Sequence, residues 1–176
     1  MLTFRAMRLA MHSPFPAVTD TPRVEATIRW CVAARVQRPA ARRWLLEVLA
    51  RTPDARVRNQ AALALGDLRE QAAVPVLVGL LTAEATAGSR GSLLFALREL
   101  DYRDHLAALA DQFGSEVYEV LELALQLFEQ LPRRLRRRQT RPALARLAHW
   151  ALAVTDPDRA LYARQALYLL QATTPA

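Results

Sequence analysis

The feature that most constrains this chain is an internal repeat with a period of about 32 residues. The stretch VRNQAALALGDLREQAAVPVLVGLL, which begins at Val57, aligns without gaps on SRGSLLFALRELDYRDHLAALADQF, which begins at Ser89. Leu65 then falls on Leu97. A repeat of this length holds one supersecondary unit, which buries its apolar side only by stacking on its neighbours. The chain is therefore expected to form a stack of similar units.

Each unit has the sequence pattern of two short helices. The chain is rich in Ala and Leu, has five Gly and contains Ile28 as its single isoleucine, a composition that favours helices over strands. Prolines separate stretches with helical periodicity. The predicted helices cover residues 23–36, 40–51, 55–68, 72–83, 89–100, 104–112, 116–130, 141–154 and 157–171. We therefore predict an all-α protein.

The helix over residues 55–68 has the clearest signals. Asp54 is a good N-cap residue, and the apolar residues from Val57 to Leu68 recur on one helical face. Gly66 is expected to weaken the end of this helix, because glycine is a poor helix former. The helix should thus bury one side.

The segment DARVRNQAALALGDLREQAAVPVLVGLL, residues 54–81, resembles one HEAT repeat of the short kind found in bacterial HEAT-like proteins and in phycobilin-lyase-type repeats. The shared residues are an Asp, then Val-Arg, then Ala-Ala-x-Ala-Leu-Gly, followed by a second helix with Pro and Leu. The next unit departs from the pattern, since Ser89 replaces the Val and Arg98 the Gly. The motif covers about a third of the chain, and the periodicity covers most of it.

The resemblance implies a right-handed α-solenoid of about four antiparallel helix pairs plus a C-terminal capping helix. Residues 23–176 would form this single HEAT-like domain, and residues 1–22 a possibly flexible N-terminal arm or cap. The resemblance does not imply lyase activity.

The charge of the chain is unevenly distributed. All 24 basic residues are arginines, which fits the codon bias of a GC-rich bacterial genome. Residues 1–51 carry nine arginines and three acids, residues 52–131 six and twelve, and residues 132–176 nine and two. The ends are therefore basic and the middle acidic. This layout favours a partner of mixed charge over a continuous phosphate backbone.

The charged residues of two arginine clusters and of the second helices are the candidate binding residues. They can contact nucleic acid or an acidic protein surface, or they can form solvated turns that cover helix carbonyls and acids such as Glu129. Trp44 is expected in the core. The candidates are Arg35, Arg38, Arg42, Arg43, Glu47, Asp104, His105, Asp111, Arg133, Arg134, Arg136, Arg137, Arg138 and Arg141.

The sequence contains no pattern that supports catalysis, a metal or a cofactor. The three histidines are scattered, and Cys31 is expected to be a buried apolar thiol. Some HEAT-like proteins are DNA glycosylases, but this chain is short, its middle is acidic, and no carboxylate matches a motif of that family. We therefore predict that it is not an enzyme.

The favoured hypothesis is a non-enzymatic scaffold that binds another protein, as an adaptor, a regulator or an immunity-type inhibitor. The alternative is a nucleic-acid-binding module that uses the basic ends. Attraction between the basic ends and the acidic middle of separate copies makes self-association a third possibility.

The longest apolar run, residues 72–83, is too short to span a membrane, and the single cysteine fits a reducing cytoplasm.

Overall fold

The computed structural model describes residues 15–34 and 39–173, and this part of the chain is helical without strands. The predicted N-terminal arm lies largely outside the described residues, as do the last two residues of the helix predicted over 23–36. The α-helices of the described part are α1 (Thr21–Ala33), α2 (Pro39–Arg51), α3 (Ala55–Asp67), α4 (Val74–Thr82), α5 (Arg90–Leu97), α6 (Leu106–Ala110), α7 (Tyr118–Glu129), α8 (Arg137–Ala153) and α9 (Pro157–Thr173).

The helices form two layers that follow chain order. The odd-numbered helices pack side by side in the A layer, and the even-numbered helices pack side by side in the B layer. The last helix, α9, packs on both α7 and α8. This arrangement confirms the predicted all-α solenoid of four helix pairs followed by a C-terminal helix.

One apolar core runs through all the repeats. Leu65 and Leu97, which the repeat places at equivalent positions, are both fully buried. The core begins at Val24 in α1 and extends to Leu170 in α9. Because the core is shared between neighbouring pairs, each pair depends on the next for burial.

The start of α3 follows the sequence prediction. The Asp54 carboxylate accepts hydrogen bonds from the backbone N–H groups of Arg56 (2.8 Å) and Val57 (3.2 Å). These bonds satisfy two of the amides that a helix start leaves unpaired. Asp54 is thus confirmed as the N-cap.

Gly66 has a different role from the expected weakening of the helix end. It lies inside α3, and a Cβ atom built on it would be 2.7 Å from the backbone oxygen of Ala96 in α5. Glycine therefore allows the backbones of two A-layer helices to approach closely.

A left-handed residue follows the end of α3. Arg69 has a φ of 51°, and the Glu70 N–H bonds to the carbonyl of Leu65 at 2.9 Å. This is the Schellman arrangement, in which glycine is the usual residue. The turn directs the chain from the A layer into the B layer.

Two helices of the B layer differ from their predicted bounds. The helix predicted over 141–154 begins at Arg137 and contains Pro142, because the Gln139 side chain caps its start by accepting the Arg136 N–H at 3.0 Å. The helix predicted over 104–112 is α-helical only over Leu106–Ala110, with tighter 3-10 turns on both sides.

No single helix in residues 15–34 and 39–173 is long and apolar enough to cross a membrane. Gln71–Thr82 and Glu84–Leu97 together reach the required length and hydropathy, but they are bent by 111° relative to each other.

Tyr102 links the turn after α5 to the end of α7. Its hydroxyl donates a hydrogen bond to the Leu127 carbonyl at 2.7 Å, and its side chain is buried. Burial, assisted by the negative charge of Asp101, raises the pKa of Tyr102 to about 12 from an ordinary value of 10.0.

The raised pKa predicts a loss of stability at alkaline pH. Between about pH 10 and 12 the unfolded state releases the Tyr102 proton while the folded state keeps it, so the free energy of unfolding falls as pH rises. Denaturant titrations at about pH 9, 10 and 11 should show a steeper fall for the wild type than for Tyr102→Phe. The chain has no lysine to mask the effect.

The matched control for this measurement is Tyr168→Phe, because Tyr168 is 71% exposed. It should keep the wild-type pH dependence. If Tyr102→Phe and the wild type lost stability in parallel above about pH 10, the hydroxyl of Tyr102 would not be held protonated by the fold.

Candidate interaction surface

The structure places part of the first arginine cluster at a junction between repeats. Arg42 in α2 donates to the Glu70 carboxylate at 2.9 Å and to the Leu68 carbonyl at 3.4 Å. Arg43 is exposed on the same helix. Arg35 and Arg38 lie outside the described residues. Arg42 therefore joins the first pair of helices to the second.

Two predicted acids also form contacts between repeats. Asp104 accepts a hydrogen bond from the Gln139 amide at 2.7 Å, and its carboxylate is 4.0 Å from the guanidinium of Arg138. Asp111 forms an ion pair with Arg146. These contacts bring both ends of α6 against α8. Part of the predicted binding charge is thus used within the fold.

Two further candidates have local positions. Glu47 accepts a hydrogen bond from Arg51 at 3.0 Å, one turn later on α2. His105 is half-buried in the 3-10 turn before α6.

The C-terminal arginine cluster is exposed at the start of α8 and in the turn before it. Of the six candidates between 133 and 141, only Arg138 has a carboxylate within 4.0 Å among the described residues. The expected cover by Glu129 is absent from this part of the structure. The cluster is Arg133, Arg134, Arg136, Arg137, Arg138 and Arg141.

Between α2 and α8, the B layer has an uncharged centre. Neither α4 (VPVLVGLLT) nor α6 (LAALA) contains a charged residue. Pro75 and Gly79 are exposed on α4, and Ala107 and Ala108 are half-buried on α6. We call this surface the B-layer face; it has small apolar residues in the middle and arginines on both sides.

The aromatic and thiol predictions agree with the structure. Trp44 is buried, donates from its indole N–H to the Pro16 carbonyl at 2.9 Å, and stacks on Phe15 with ring centroids 5.2 Å apart. Cys31 is fully buried, and burial raises the pKa of its thiol. Among the described residues, no three His, Cys, Asp or Glu side chains are grouped to hold a metal ion.

Arg58 of the Val-Arg pair is also buried in α3. Its Nε atom has no hydrogen-bond partner, and no carboxylate of the described part lies within 4.0 Å of its guanidinium. It therefore contributes packing by its long side chain.

A groove that the sequence did not predict lies on the outside of the A layer. This groove has a volume of about 400 Å³ and lies over α5, between α3 and α7. A sequence signal for the groove exists: the 32-residue offset aligns Leu63 with Phe95, and both apolar residues line the groove. We call it the outer groove; its walls include Leu63, Gly91, Phe95, Glu119, Glu122 and Leu123.

The paired helices, the two layers and the shared core define an α-solenoid repeat protein. The family model for HEAT repeats matches residues 17–98, which contain α1 to α5, and this match supports the predicted resemblance to HEAT-like repeats. No curated protein and no solved structure matches the chain. HEAT repeats are commonly scaffolds for protein interactions and typically have no enzymatic activity.

Proposed function

We propose that this protein is a non-enzymatic scaffold that binds another protein through the B-layer face. The observation that supports this proposal is the uncharged strip of α4 and α6 between the arginines of α2 and α8. An uncharged strip with Pro75, Gly79, Ala107 and Ala108 at its surface permits close contact with a partner, while the arginines supply hydrogen bonds at its edges.

The dimensions of the face suit a protein partner. The axes of packed helices lie about 8 to 10 Å apart. The distance from α2 to α8, with two helices between them, is therefore about 25 to 30 Å. A standard protein interface buries about 800 Å² on each partner, which needs a surface of this width. An adaptor, a regulator or an inhibitor would each use such a face.

The same strip disfavours a nucleic acid. A nucleic-acid backbone carries closely and regularly spaced phosphate charges, and a protein binds it with basic side chains spread along the whole contact. The centre of the B-layer face, formed by α4 and α6, has no basic side chain. Arginines at two separated edges serve a partner with acidic groups at its margins and an apolar middle.

The test is photo-crosslinking from the centre of the face in the native cells. p-Benzoylphenylalanine at Gly79 is expected to give a protein adduct of defined mass, and the double change Arg43→Glu and Arg141→Glu should abolish it. Gly88 is the matched control, because neither glycine has a neighbour within 4 Å of a built Cβ. A nuclease-sensitive adduct, or equal adducts from both positions, would overturn the proposal.

A further inference from the structure

We infer that the outer groove is a second docking site, which binds a cationic amphipathic helix of a partner protein. It lies on the A layer, on helices that do not form the B-layer face. This inference goes beyond the proposed function, because it assigns a different surface and the opposite ligand charge.

The depth of the groove comes from small residues on α5, the helix at its floor. The outward residues Gly91 and Ser92 of α5 are small, and a Cβ on Gly91 would be 2.8 Å from the Glu119 carboxylate. The α5 backbone therefore forms a low floor between two walls, into which the side chains of a bound helix can reach.

The groove exposes apolar surface to solvent, and the Arg98 guanidinium lies 5.0 Å from the centroid of the Phe95 ring at its floor. Phe95 is 47% exposed at the floor, and Leu63 and Leu123 are half-buried on opposite walls. A neighbouring groove of about 310 Å³ between α1 and α3 shares Leu63 and is lined largely by apolar residues such as Val32. A continuous exposed apolar surface of this kind is typical of an interaction site.

The charge of the α7 wall determines which partner fits. Glu119 and Glu122 are three residues apart, so their side chains lie on one side of the helix. Both are exposed, and no arginine of the described part lies within 4.0 Å of either carboxylate. Residues 115–131 contain four glutamates and no basic residue. The wall therefore has negative charge that the fold does not neutralise.

Several other acids of the described part, unlike Glu119 and Glu122, form ion pairs with arginines. Glu25 lies 2.8 Å from Arg56, and Glu99 lies 2.8 Å from Arg69. The absence of such pairing beside an apolar groove favours a ligand with Arg or Lys at positions i and i+3 or i+4 next to large apolar side chains. Phosphate groups of nucleic acids or anionic lipids would be repelled from this wall.

The experiment selects ligands from a displayed library of amphipathic helices of about 18 residues, long enough for about five turns. Apolar positions are drawn from Ala, Leu and Phe, and polar positions from Glu, Gln, Lys and Arg. The full chain is the bait, and the variant Phe95→Ala with Glu119→Gln and Glu122→Gln serves for counter-selection. Enriched helices are expected to carry Arg or Lys beside Leu or Phe.

The most enriched helix is then synthesised with a fluorescent label, and its binding is measured by polarisation. Glu119→Gln with Glu122→Gln should weaken binding about tenfold or more, because two charge-assisted contacts are lost. The matched control, Glu84→Gln with Glu116→Gln, removes the same charge outside the groove and should bind like the wild type. All replaced side chains are exposed, so circular dichroism melting should be unchanged.

Three results would overturn the inference: no enrichment above the starting library, enrichment of acidic helices, or equal binding by the groove variant and its control. The B-layer variant with Arg43→Glu and Arg141→Glu should bind the selected helix normally. A failure of the outer groove is thereby distinguished from a failure of the proposed function.

Discussion

Replacing Leu65 by aspartate is expected to unfold the protein. Leu65 is fully buried in α3 and belongs to the core that joins the repeats. The change removes about 2 to 5 kcal/mol of packing and places a carboxylate in the apolar core, a further cost of several kcal/mol. Since a domain of this size is stable by about 5 to 15 kcal/mol, the folded state should be lost.

Circular dichroism and size-exclusion chromatography measure this loss as reduced helix content and an expanded chain. Leu152→Asp is the matched control, because Leu152 lies on α8 and is 86% exposed. It should change the melting temperature only slightly. An unchanged melting temperature for Leu65→Asp would show that α3 does not pack as described.

Gly66→Ala and Gly79→Ala are expected to change stability in opposite directions. Alanine is the better helix former by about 1 kcal/mol at either position. At Gly66, however, the new Cβ meets the Ala96 backbone oxygen at 2.7 Å, so α3 and α5 must move apart. Overpacking of this kind costs about 1 to 3 kcal/mol and outweighs the gain in propensity.

At Gly79 a new Cβ meets no atom within 4 Å, so the variant should be more stable by about 0.5 to 1 kcal/mol. Urea unfolding of both variants measures the two changes under the same conditions. Equal effects of the two substitutions would contradict the close approach of α3 and α5.

The repeat predicted the fold because it records a physical requirement. Leu65 and Leu97 recur at the same offset since equivalent helices bury equivalent sides. Asp54 was identified as an N-cap because capping depends on residues adjacent in the chain. In contrast, the sequence predicts a start for α8 at residue 141, because the actual N-cap is Arg136 and not the Ser, Thr, Asp or Asn that usually precedes a Gln at this position.

The candidate site was only partly predictable. Arg42, Asp104 and Asp111 were chosen for their charge, but the structure uses them in contacts between repeats. Charge along the chain does not show which side chain meets an opposite charge from a residue about 30 positions away. The outer groove was missed for the same reason, since its walls come from three different repeats.

By itself, the sequence determined the helical class, the two-helix repeat and the buried positions, because these depend on periodicity and local propensity. Only the tertiary structure decided which arginines remain exposed on the B-layer face, why Gly66 must be glycine, and where Phe95 and Glu119 form a groove. Those properties arise when helices distant in the chain pack together, and packing sets distances that a linear pattern does not contain.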